Sequence, residues 1–108
     1  MTVRRWLGLD IGTSSTKAVV VDDRGVVVAR GHASYGMRSS AAGHAEQRPE
    51  DYLDGVRGAI ADCGVGALPI AGIGLAGQTP TLVLVDEDGR VVRPALTWQD
   101  TRAAAEAQ

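Results

Sequence analysis

Phenylalanine is absent from this chain, and two tryptophans and two tyrosines make up its whole aromatic complement. A core without bulky rings must be built from small and β-branched aliphatic residues, and the abundance of Gly, Ala and Val favours a strand-rich α/β fold. Cysteine is nearly absent too. The single Cys63 excludes a disulfide framework and a cysteine-based metal site within the chain, and a reducing cytoplasm is the compartment it suggests. No apolar run is long enough to span a bilayer, and Met1-Thr2-Val3-Arg4-Arg5-Trp6 lacks the apolar stretch of an export signal. Neither charge sign dominates. A formal net charge of −2 with acids and bases interleaved gives no basic face for nucleic acid or an anionic membrane, so any anion site must be local. At 108 residues the chain holds one domain at most, with a single modest core.

Among what is present, the stretch Leu7-Gly8-Leu9-Asp10-Ile11-Gly12-Thr13-Ser14-Ser15-Thr16-Lys17-Ala18-Val19-Val20-Val21-Asp22 organises the rest. An apolar run ends in a carboxylate, a glycine and four hydroxyl residues follow, and a lysine leads into a second, β-branched run, which reads as strand, tight polar turn, strand. Such a turn suits a phosphate. Gly12 lets backbone N–H groups approach a ligand, the hydroxyls of Thr13, Ser14, Ser15 and Thr16 can donate to oxyanions, and Lys17 adds positive charge. Asp10 then suits Mg²⁺, a hard cation that keeps much of its water and bridges one or two carboxylates to substrate phosphates. The common P-loop is excluded, because it needs Gly-x-x-x-x-Gly-Lys-Ser/Thr before a helix, and here a strand follows.

The remaining pattern predicts strands over residues 4–9, 17–22 and 26–30, antiparallel in sequence order, with both faces of the second covered. Residues 31–47 read as an extended edge segment and an exposed loop, in which His32 and His44 are loop residues rather than metal ligands. Pro49 opens a helix with Glu50 and Asp51 at its positive end. Tyr52, Val56, Ala59, Ile60 and Cys63 form its buried stripe, and Gly64 or Gly66 ends it. Residues 68–77, thick with glycine, predict a buried strand parallel to one of the first three. Gln78-Thr79-Pro80 follows at its carboxyl end, where open α/β sheets bind ligands. A hairpin turning at Asp86-Glu87-Asp88-Gly89, a short apolar segment ending at Trp98, and the start of a helix at residues 103–107 complete the chain.

Three signatures stand in order: Asp10-Ile11-Gly12-Thr13-Ser14-Ser15-Thr16-Lys17, Gly77-Gln78-Thr79-Pro80-Thr81-Leu82-Val83-Leu84-Val85-Asp86, and Trp98-Gln99-Asp100-Thr101-Arg102. With Gly43-His44-Ala45-Glu46-Gln47-Arg48-Pro49-Glu50-Asp51-Tyr52, they make the chain resemble, over essentially its whole length, the amino-terminal part of the FGGY carbohydrate kinases, the xylulose-phosphorylating branch above all. The resemblance implies the amino-terminal portion of a ribonuclease H-like, actin-like ATPase fold, α/β with a mixed sheet and flanking helices. Residues 1–108 would be a partial kinase domain, the second domain lying outside them. It implies transfer of the γ-phosphate of ATP to a sugar or polyol hydroxyl, xylulose first, in the cytoplasm, with ATP and Mg²⁺ required and the parent kinase a homodimer. Asp10 would hold the water shell of Mg²⁺, and Gly12, Thr13, Ser14, Ser15 and Lys17 would face the phosphates. Gln78, Thr79, Pro80, Trp98 and Asp100 match the sugar-contacting positions. Trp98 suits either a sugar face or packing, Asp100 a sugar hydroxyl or the cap of the last helix, and Thr79-Pro80 a sugar contact or a plain turn. Thr79-Pro80 stands where that branch usually has Met-His. The family's general base belongs to a later segment, so the chain alone is expected not to phosphorylate. A catalytically silent remnant that binds sugar, phosphate or a partner chain is the alternative.

Overall fold

The computed structural model describes residues 3–108. Three antiparallel strands come first: β1 (Arg5–Ile11), β2 (Ser15–Asp22) and β3 (Val27–Ser34). The polar turn is tighter than the sequence suggests. Ser15 and Thr16 join the ladder, Thr16 opposite Ile11 and Lys17 opposite Asp10, which leaves only residues 12–14 outside it. β3 runs to Ser34, past its expected end at residue 30 and into the segment read as an extended edge. Gly31 and Ala33 lie opposite Ala18 and Thr16 on one face, so the weak pattern is an alternation whose inward residues are small.

Those small residues admit the helix. α1 (Pro49–Asp62) packs on β2 and β3, with Pro49 in its first turn beside Glu50 and Asp51, and it ends at Cys63 before Gly64 at φ 67°. A Cβ on Gly31 would lie 2.2 Å from the Ala59 carbonyl oxygen and 2.7 Å from the Cys63 nitrogen, so the helix backbone rests on the strand backbone. Gly58 meets Ala33 and Gly55 meets the Tyr35 ring in the same way. The buried face therefore centres on Gly55 and Ala59, with Val56 and Cys63 beside it. Ile60, expected in the stripe, is 37 % exposed, because one residue past Ala59 is a rotation of about 100° away from the seam. Leu7, Leu9, Ala18, Val20 and Ala59 form the core, flanked by Ala29, Val65, Leu68 and Ile70. The expectation that β2 is covered on both faces fails: Ala18 and Val20 are buried under α1, whereas Val19 and Val21 on the other face are half-buried.

After α1 the chain returns at the far edge of this sheet. β4 (Glu46–Gln47) is a two-residue strand just before the helix, and β5 (Gly72–Gly77) pairs parallel with β1 as expected, completing the order β3-β2-β1-β5. It is not buried. Ile73 and Leu75, opposite Leu7 and Leu9, are 66 % and 71 % exposed, because α1 lies over β2 and β3 and does not reach the β5 edge. β6 (Ala95–Leu96) pairs with β4, and Leu82 bridges Leu96. The hairpin over residues 82–92 turns at Asp86, whose carboxylate accepts from the Asp88 and Arg90 N–H groups, but only an isolated Val85–Val91 bridge ties its arms. Residues 102–107 form turns rather than the expected helix, since so short a segment without packing gains too little to nucleate. Among the described residues no helix is long and apolar enough to cross a membrane.

Candidate functional site

β1 and β2 hold the turn of residues 12–14 at the end of the sheet from which β5 also emerges, so the Gln78 N–H continues the ladder to the Ile11 carbonyl at 2.8 Å. The turn is closed by its own backbone. The Gly12 N–H donates to the Ser15 carbonyl at 2.9 Å, and a Cβ on Gly12 would crowd that oxygen at 3.0 Å. Glycine thus keeps closure free of crowding, and its own N–H is already committed.

Every carbonyl of the turn is drawn toward the protein. The Gly12 oxygen accepts from Tyr35 Oη at 2.5 Å and Gln78 Nε2 at 3.2 Å, the Thr13 oxygen from Gln47 Nε2 at 2.6 Å, and the Ser14 oxygen from the Tyr35 N–H at 3.0 Å. In a trans peptide the N–H points opposite to the preceding C=O, so the Thr13, Ser14 and Ser15 N–H groups are turned the other way. Successive N–H groups aimed outward from a turn form an anion-binding concavity. The Ser14 side chain is exposed beside it. Thr16, counted among the phosphate-facing hydroxyls from sequence, instead points under α1: it is fully buried, with Oγ1 3.3 Å from Tyr35 Oη. Period-two alternation sends it to the core face.

Asp10 and Lys17 are cross-strand partners, both exposed, on the face opposite α1, and His32 continues the same row on β3. That face is an open trough of about 680 Å³ floored by Gly8, Val19, Gly74 and Ala76. It is the uncovered back of the sheet, with Asp10 at the end nearest the turn. No group of three or more His, Cys, Asp or Glu able to hold a metal occurs among the described residues. A lone exposed carboxylate beside such a turn is compatible with Mg²⁺, which takes its remaining ligands from water and phosphate.

Two of the expected sugar-side residues converge on the turn. Gln78 reaches Gly12, and the Trp98 indole N–H donates to Thr13 Oγ1 at 2.9 Å while half of its surface stays exposed. Thr79 and Pro80 are exposed beside Gln78 and joined by a cis peptide bond. Asp100 is not presented to this space as a free carboxylate. Its side chain is 7 % exposed and binds the Arg102 guanidinium at 2.6 and 3.0 Å and the Ala45 N–H at 2.9 Å, contacts that hold its pKa far below the usual carboxylate range. No helix follows for it to cap. With Arg93 and Arg102 on Glu46, it fastens residues 97–102 to the loop before β4.

Gln47, Tyr35 and Tyr52 were not among the residues the sequence singled out for the site. Tyr52 Oη donates to Gln47 Oε1 at 2.7 Å, and its ring meets that of Tyr35 edge-on with centroids 5.6 Å apart. Burial raises both phenol pKa values, that of Tyr52 to about 12, so both remain neutral donors across the working range of an enzyme. A signal did exist. In a chain with four Trp and Tyr residues, three of them, Tyr35, Tyr52 and Trp98, meet within one hydrogen-bonded network around one turn.

The profile of the FGGY family of carbohydrate kinases, N-terminal domain, matches residues 5–108. Over 100 residues the chain is 39 % identical to a xylulose kinase of Bacillus subtilis, with 89 % of this chain and 20 % of that protein covered. It is also 39 % identical over 103 residues to a glycerol kinase of Agrobacterium fabrum, covering 91 % of the chain and 21 % of the relative. The solved xylulose kinase from Rhodospirillum rubrum superposes with a TM-score of 0.87 at 34 % identity, over 95 % of this chain and 22 % of that one. The chain thus spans about a fifth of the length of these relatives.

Proposed function

The chain belongs to the FGGY family of carbohydrate kinases as an N-terminal domain, and from that membership we propose that it supplies the phosphate-binding half of an ATP-dependent sugar kinase acting in the cytoplasm. The observation that carries this reading is the turn of residues 12–14, whose carbonyls are all held from behind while the N–H groups of Thr13, Ser14 and Ser15 face away, beside the exposed Asp10. Phosphoryl transfer asks little covalent chemistry of the protein: catalysis is positioning together with charge stabilisation on the phosphoryl oxygens. Thr13, Ser14 and Ser15 would donate to the terminal phosphates, where preorganised donors are most effective. Mg²⁺, when bound, neutralises phosphate charge, and Asp10 would hold its water shell. Lys17, its cross-strand neighbour, would add positive charge at that edge.

The acceptor would lie over Thr79, Pro80 and the exposed part of Trp98, against which sugar C–H groups can pack. Xylulose is the first choice of acceptor, supported by the xylulose kinases among the relatives. The general base would come from outside these residues, because Asp10, if it holds the metal's water, cannot also reach the attacking hydroxyl.

The test is ATP turnover by the chain and by a protein extending it through the second domain, assayed with ketoses, polyols and sugar acids. Turnover by the extended protein with a ketose preferred, falling by at least about 100-fold in Asp10→Ala, is the expected result. Turnover by the chain alone would refute the placement of the base. Full activity in Asp10→Ala would refute the role given to that carboxylate.

A further inference from the structure

Gln47 is the largest fully buried side chain among the described residues, at 0 % exposure, and with Thr16, Asp22 and Thr97 it is one of the few polar groups buried among aliphatic ones. Burying a primary amide is unfavourable unless each of its donors and acceptors is satisfied. Here all are. Nε2 donates to the Thr13 carbonyl at 2.6 Å and the Gly36 carbonyl at 3.2 Å, and Oε1 accepts from Tyr52 Oη at 2.7 Å and Gln78 Nε2 at 3.0 Å. No buried side-chain nitrogen or oxygen is left without a partner among the described residues. One amide thus ties together β4, α1, the segment after β3, the segment after β5 and the phosphate turn.

We infer that Gln47 is the positioning residue of the phosphate turn, and that Gln78 acts with it rather than as an acceptor contact. The Gln78 amide is equally committed: Nε2 donates to Gln47 Oε1 and, at 3.2 Å, to the Gly12 carbonyl, and Oε1 accepts from Thr81 Oγ1 at 3.0 Å. Between them the two glutamines hold consecutive carbonyls, Gly12 and Thr13, and so fix the orientation of the next two N–H groups, those of Thr13 and Ser14. Donors aimed before the ligand arrives need no reorganisation on binding, which is the origin of their effect. Because Gln78 starts the segment that continues into Thr79 and Pro80, a shift there reaches the turn through these two side chains. This inference rests on the reading of the turn as a phosphate site.

The test compares the wild-type chain with Gln47→Met, which keeps the bulk and removes the amide, and with Tyr52→Phe, which removes one of the two donors to Gln47 Oε1. Two readouts are taken: hydrogen exchange of the Gly12 and Tyr35 amides, which bond the Ser15 and Ser14 carbonyls, against that of Ala59 in α1, and titration with Mg·ATP. In Gln47→Met, Gly12 and Tyr35 should exchange faster by about 5- to 150-fold, with Ala59 unchanged and Mg·ATP affinity reduced by about tenfold or more. Tyr52→Phe should shift both readouts in the same direction by a smaller factor, and it decides the matter if Gln47→Met does not fold. Equal acceleration at Ala59, or unchanged exchange at Gly12 and Tyr35 in a folded variant, overturns the inference. Failure of the wild type to bind Mg·ATP would count against the phosphate reading instead, leaving the exchange comparison to judge the positioning role.

Discussion

Gly31→Ala is the substitution on which the packing account depends most. The added Cβ would sit 2.2 Å from the Ala59 oxygen and 2.7 Å from the Cys63 nitrogen, both of them helix backbone atoms that no rotamer change can move. Restoring ordinary contact requires the carboxyl-terminal half of α1 to withdraw by about an ångström, which also opens the Leu9, Ala18 and Ala59 contacts of the core. Overpacking of this kind costs about 1–3 kcal/mol, and a backbone-on-backbone clash belongs at the upper end. Loss of glycine's freedom in the unfolded chain returns about 0.4–1 kcal/mol, since Gly31 has no positive φ to forbid alanine. The net expectation is a loss of about 2 kcal/mol, or about 8–16 °C in Tm for a domain near 100 residues. Thermal unfolding followed by circular dichroism measures it. Gly36→Ala, where a Cβ meets nothing within 4 Å, is the control and should melt within a few degrees of the wild type. A Gly31→Ala chain that melts with the control would refute the claim that α1 is seated by the missing side chain.

Three further predictions come from charge and exposure. Burial raises the Tyr52 phenol to about 12, above its unfolded value, so its contribution is complete below pH 10 and is lost as pH rises toward 12; denaturant midpoints should fall over that window and less so in Tyr52→Phe. At the acid end, Asp100 is held down by Arg102 and the Ala45 N–H, and Asp22 by the Val26 N–H, so stability present above about pH 4 should decline below it, with a shallower decline in Asp100→Asn. Ile73 and Leu75 stand exposed on the outermost strand, whose far edge pairs with nothing among the described residues, so the isolated chain should self-associate. Sedimentation should show that Ile73→Lys combined with Leu75→Lys reduces this; a wild-type chain already monodisperse as a monomer would contradict it.

What the sequence disclosed, and what it hid, divide along physical lines. The turn after Asp10, the parallel return of β5 to the sheet and the Pro49 helix start were legible, because each depends on local chemistry: a carboxylate and glycine between apolar runs, a helical crossover, a proline in a first turn. The end of β3 was less so: residues past 30 read as an extended edge rather than a strand, because the inward residues Gly31 and Ala33 are small for the sake of α1 and carry no clear alternation. Exposure of β5 was hidden for a related reason. Its apolar composition is suited to burial, but α1 is not placed to cover it. At the turn, Asp10, Gly12, Thr13 and Ser14 follow one another along the chain and so stand out in the sequence, whereas the core-facing direction of Thr16 does not. Nor do Gln47 and Tyr35, because they act on the turn from 34 and 23 residues away, through contacts that exist only in the folded sheet. Asp100, whose residue type suited a sugar hydroxyl or a helix cap, is instead bound in the fold by Arg102 two positions on, a contact its residue type alone does not disclose.

The central claim is that the turn of residues 12–14, with the first residue of β2, is the phosphate site. The most direct test is a ¹H–¹⁵N titration of the chain with Mg·ATP. The account predicts that the largest shifts fall on the Thr13, Ser14 and Ser15 amides, with smaller ones at the Trp98 indole N–H, and that Asp10→Ala weakens them all. Shifts centred instead on the arginines Arg38, Arg48 and Arg93 around the smaller cavity before α1, with residues 13–15 unmoved, would contradict it.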